Sequence, residues 1–174
     1  MNENRHLAAV EHFSRILLRD GVKERIAKLI VFGSVACGEA TPESDVDLLV
    51  LATDDLEAVS LACADASLRT GMETQISVEP LVYCLDQLGH PHSLFIADAI
   101  TGGKEIYSMA EPELSRAEAR GFLSLAQVYR EAAERAVTAG DFRIAADLAY
   151  NAAELCVKGL LVLRGESILR THSG

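Results

Sequence analysis

The stretch KLIVFGSVACGEATPESDVDLLV, residues 28–50, holds two short apolar runs separated by a polar loop. Residues 28–32 are rich in β-branched side chains and close on Gly33-Ser34, the pattern of a buried strand meeting a turn. Residues 36–44 collect Gly, Thr, Pro and Ser, the composition of a loop, and residues 45–51 read as a second strand. Strand side chains alternate between faces, so Asp45 and Asp47 project to one side while Val46, Leu48 and Val50 face the other. Like charges held together call for a cation between them, and an oxygen-only pair suits Mg²⁺, with Mn²⁺ as its alternative. Gly33 lets the backbone approach a phosphate with no Cβ in the way, and Ser34 adds a hydroxyl beside neighbouring amide donors.

Working outward, Leu7, Val10, Phe13 and Leu17 recur at helical spacing before Gly21, which reads as a stop. After the second strand, residues 56–68 have helical periodicity and residues 75–83 alternate as a third strand, in which Pro80 points to an edge or a bulge. Beyond a turn at Gly89-His90-Pro91, residues 93–100 read as a helix stopped by Gly102-Gly103, and residues 104–107 as a short last strand. The remainder is helical. Ser115 and Glu118 form a capping box ahead of Phe122, Leu125 and Tyr129, and Gly140-Asp141 supplies a stop and a new cap before Phe142, Ala145, Leu148, Ala152, Leu155, Gly159 and Leu163.

Charge marks the same division. Residues 1–110 carry 17 acidic against 8 basic side chains, and residues 111–174 carry 9 against 8, which sets a boundary near Glu111-Pro112. The expected organisation is a mixed-sheet domain over 1–110 and a helical hairpin or partial bundle over 111–174, an α+β fold class overall. The net charge of −10 excludes broad nucleic-acid binding, which needs a surplus of Lys and Arg. No apolar run reaches the roughly 18 residues of a membrane span, and the charged N-terminus does not read as a signal peptide, so a cytoplasmic protein is expected. Cys37, Cys63, Cys84 and Cys156 form no CxxC pair and read as free thiols, mostly buried. His90-Pro91-His92 reads as a surface turn rather than a metal pair, since no third ligand lies near in sequence.

The run FGSVACGEATPESDVDLLV resembles the GS-x10-DxD signature of minimal nucleotidyltransferases of the DNA polymerase beta superfamily, a resemblance that covers residues 20 to about 108. It implies a polymerase beta-like fold with a mixed sheet, a nucleoside triphosphate bound through Gly33 and Ser34, and metal held by Asp45 and Asp47. It further implies a third acid on a later strand that helps hold metal or deprotonates the attacking hydroxyl; Glu79, followed by Pro-Leu-Val-Tyr83 and Asp86, matches that place. Many members carry an arginine after the GS pair, where this chain has Val35-Ala36-Cys37-Gly38.

The segment DFRIAADLAYNAAELCVKGLLVLRGESILRTHSG resembles the HEPN fold through an Ala-rich helix bearing Tyr150, Glu154, Lys158 and Gly165 before Thr171-His172. The arginine and histidine of HEPN ribonucleases, four to six residues apart, have no counterpart among Arg164, Arg170 and His172. The apolar stripes of the two helices exceed what one hairpin can cover, so a homodimer or a partner protein is expected through them. The expected activity is Mg²⁺-dependent transfer of a nucleoside monophosphate, AMP from ATP, to a hydroxyl of a small molecule or a partner protein. The alternative is a catalytically weak nucleotide-binding regulatory or antitoxin-like module.

Overall fold

A computed structural model of the chain describes residues 3–88 and 91–166. The chain divides into two compact units, Met1–Met109 and Ala110–Gly174. The first begins with α1 (Glu3–Leu17), whose stripe of Val10, Phe13 and Leu17 is buried. A 3-10 turn, Lys23–Arg25, then leads into β1 (Ile26–Phe32); Gly21 is not the cap of α1 but lies within this connection. The short helix α2 (Gly33–Cys37) replaces the first part of the expected loop, and β2 (Val46–Ala52) follows. The helix α3 (Leu56–Thr74) starts on the Asp55 side chain, which accepts from Ala58 N–H, and runs past Gly71, six residues beyond its expected end. The remaining elements are β3 (Val78–Cys84), α4 (Leu94–Gly102), capped by Ser93, and β4 (Lys104–Ser108).

The strands form one sheet in the order β3-β2-β1-β4. β1 is antiparallel to β2 and β4, and β2 is parallel to β3, so the sheet is mixed. β3 lies at one rim, which reconciles Pro80 with strand structure, because a missing N–H is tolerated there. One face carries Leu29, Val31, Val46, Leu48, Val50 and Val78, and packs with Phe13, Leu17, Val59 and Ala66 of α1 and α3 into the main core. The opposite face carries Ile30, Phe32, Asp47 and Glu79. Leu49 and Leu51 are fully buried farther along β2, while Asp47 is half-buried and Glu79 exposed, so this second face opens at one end.

The second unit is an antiparallel pair, α5 (Glu111–Ala139) and α6 (Phe142–Leu163). α5 starts earlier than the Ser115–Glu118 pattern implied: Pro112 at the helix start and Glu111 and Glu113 in the first turn suit the helix N-terminus, so Ser115 is interior and caps nothing. Gly140, at φ +84°, closes α5, but the Asp141 side chain makes no capping bond to α6. Besides Leu114 and Val162, the buried positions are Ala119, Ala126 and Ala133 on one helix and Ala145, Ala152 and Gly159 on the other, each set at a seven-residue spacing. Small residues let the backbones approach closely: a Cβ at Gly159 would lie 3.5 Å from Ala119 O. The larger apolar side chains Val128, Phe142, Val157 and Leu160 remain exposed. Among the described residues, no helix is long and apolar enough to cross a membrane.

Candidate active site

The site is built where β1 turns into α2 beside the start of β2. Phe32 is extended and Gly33 then takes φ +68°, a left-handed conformation that reverses the chain sharply into α2. A second constraint acts at the same residue, since a Cβ built on Gly33 would overlap Asp47 Oδ2. Glycine is therefore demanded twice, by backbone angle and by the carboxylate lying against it. The first N–H groups of α2 have no intrahelical carbonyl partner, and the half-buried Ser34 stands among them.

Asp47 pairs in register with Phe32 on one side and Glu79 on the other, so the three share a row across β1, β2 and β3. Burial, and then the charge of Asp45, push the Asp47 carboxyl above the usual carboxylate range. Asp45 lies one residue before β2 on a loop held at both flanks: Val46 N–H donates to Ser77 O at 2.9 Å, and Ser44 O contacts His6 Nε2 at 2.9 Å. His6 is 1% exposed, and this bond joins α1 to the residue before Asp45 across 38 positions of chain. Sequence reasoning passed over His6; its signal was one polar residue on the apolar stripe that continues through Val10 and Phe13.

No ion pair among the described residues involves Asp45, Asp47 or Glu79. Two adjacent, uncompensated carboxylates fit a hard divalent cation that takes oxygen ligands. The described residues contain no closed group of three His, Cys, Asp or Glu side chains able to cage a metal, so Glu79 stands beside the aspartate pair without completing a cage with it. Oxygen donors from a bound phosphate would complete the shell.

Of the positions where relatives of the resemblance carry arginine, Val35 is turned into the core and Cys37 is exposed. Only Cys63 of the four cysteines is buried, which pushes its thiol up to about 12; Cys84 and Cys156 are intermediate, so the expectation of mostly buried thiols was wrong. His92 is tied locally, its N–H donating to Oε1 of the buried Gln87 at 2.9 Å. His90, Arg170, Thr171 and His172 lie outside the described residues.

Residues 14–97 match the model of the nucleotidyltransferase domain, and residues 119–173 match that of the HEPN domain. A protein of Methanocaldococcus jannaschii that bears the name "Putative protein adenylyltransferase" is 35% identical over 79 residues, spanning 45% of this chain and 75% of that protein.

Proposed function

This chain belongs to the nucleotidyltransferase domain family, and from that premise we propose that it transfers AMP from ATP to a hydroxyl on another molecule, releasing pyrophosphate. The observation that carries this reading is the interlock of Gly33 with Asp47, in register with Glu79 at the open end of one sheet face. The Gly33-Ser34 backbone and the Ser34 hydroxyl bind the triphosphate, with no Cβ to hold it off. Asp45 and Asp47 hold the divalent cation, Mg²⁺ or Mn²⁺, which when bound neutralises charge on the phosphates. Glu79 takes the proton of the acceptor hydroxyl as its oxygen bonds to the α-phosphorus. The bond from that phosphorus to the bridging oxygen breaks, and pyrophosphate leaves with the electron pair.

A hydroxyl of a protein is the acceptor favoured here, because the M. jannaschii relative is named for protein adenylylation. Incubation with Mg²⁺ and ATP labelled at the α-phosphate, with and without candidate protein acceptors, tests the proposal. Label should pass to protein with stoichiometric pyrophosphate. Binding of ATP with no pyrophosphate under any acceptor would instead support a regulatory nucleotide-binding module, a reading favoured by Val35-Ala36-Cys37, which brings no cation to α2.

The exposed Val128, Phe142, Val157 and Leu160 of the hairpin support self-association of α5 and α6 with a second copy. Light scattering at micromolar concentration should give a dimer, and Leu160→Glu a monomer. A wild-type monomer would end this part of the proposal.

A further inference from the structure

The wall of the reactive face is α4. It covers the β1 side of that face: a Cβ on Gly103, at its C-terminal end, would come 2.5 Å from Ile30 Cγ2, and Ile96 and Ala99 are buried. At its other end Phe95 meets Phe32 in a T-shaped contact, ring centroids 5.5 Å apart and planes at 83°. Phe32 is the residue before Gly33 and the register partner of Asp47, so Phe95 stands at the rim of the phosphate-binding turn. Phe32 is 8% exposed, whereas Phe95 is 52% exposed. The ring therefore buries only part of itself on Phe32, the register partner of Asp47, and presents the rest to solvent.

We propose that Phe95 is the surface on which the base of the bound nucleoside triphosphate stacks, with Phe32 bracing it from behind; this rests on the nucleotidyl-transfer reading above. An aromatic ring beside a phosphate-binding backbone matches the two ends of a nucleotide, π-face and anion. Stacking reads a face and not an edge, so Phe95 sets affinity for nucleotides as a class over inorganic phosphates, without choosing among bases. The ring bears no charge, which also suits a sheet face that carries Asp47 and Glu79.

Calorimetric titration of the full chain with ATP and with inorganic tripolyphosphate, both in Mg²⁺, tests this. Phe95→Ala should weaken ATP binding roughly tenfold and leave tripolyphosphate binding unchanged. Phe95→Leu should lose nearly as much as Ala, because it keeps apolar bulk without a π-face, and Phe95→Trp should bind ATP as well as wild type or better. Equal loss of both ligands would assign Phe95 to packing alone and overturn the proposal, as would ATP binding unchanged in Phe95→Ala. A wild-type chain that bound tripolyphosphate no more weakly than ATP would overturn it too, and one that bound neither would sink the nucleotide reading with it.

Discussion

The two faces of the sheet share the same strands and differ in what closes them. Leu48 and Asp47 are neighbours in β2, yet Leu48 lies in the core under α1 and α3 while Asp47 lies at the open end of the other face. One face is made by burial, and alteration there should cost stability. The open end of the other keeps uncompensated charge, and alteration of those carboxylates should cost chemistry and leave the fold alone. The contrast teaches that a strand can separate folding from function at single-residue resolution, because alternate side chains answer to different environments.

The largest effect expected is on Asp47→Ala: loss of transfer by on the order of a thousandfold or more, since the proposed function makes it one of two metal ligands. Its thermal midpoint without metal should hold or rise. A folded, fully active variant would break the contrast. Leu48→Ala, one position away, should lower unfolding free energy by roughly 2–5 kcal/mol in urea titration, with turnover of the remaining folded protein near normal. Were Leu48→Ala well tolerated, the core face would not be the source of stability.

Glu79→Gln should reduce turnover about a hundredfold while ATP affinity is kept, since the amide preserves shape and loses basicity. Unchanged turnover would reduce Glu79 to an edge-strand charge. Gly33→Ala joins the two sides of the contrast, because it forces a side chain both into a left-handed conformation and onto Asp47. It should cost about 2 kcal/mol and impair activity together. Loss of stability with normal activity would separate Gly33 from the site.

The smallest effect concerns pH. The Asp47 carboxyl is raised in the folded state, so its contribution to stability is most favourable below the usual carboxylate range and is lost as pH rises through its folded value. Asp47→Asn should therefore raise the metal-free thermal midpoint slightly at pH 7 and change it less near pH 3. A gap that widened on acidification would reverse the sign of the argument.

Much of this site was legible in the sequence because its logic is local. Two-residue alternation sets Asp47 on the face opposite Leu48, although Asp45, expected inside the strand, lies on the loop one residue before it; a β-branched run ends at Gly33, and Pro80 marks a rim strand. The undetected parts depend on distance or on weak signals. The His6 bond to Ser44 spans 38 residues, and α2 is five residues long with no side-chain cap to announce it. Val35 sits in that helix, and the turn it makes decides that the side chain enters the core; a guanidinium there would be buried, so of Val35 and Cys37 only Cys37→Arg remains a fair test of phosphate affinity. The early start of α5 at Glu111 was missed because Pro112 and its flanking acids outweighed the Ser115 pattern.

Pro80 has a consequence beyond strand placement. A rim strand offers a row of unpaired backbone groups to any other extended chain, and such rows can template strand addition between molecules. A proline within β3 has no N–H to offer in such a row, and the exposed Lys104 and Glu105 put charge on the opposite rim at β4. Both rims are thus poor templates for growth of the sheet from one molecule into the next.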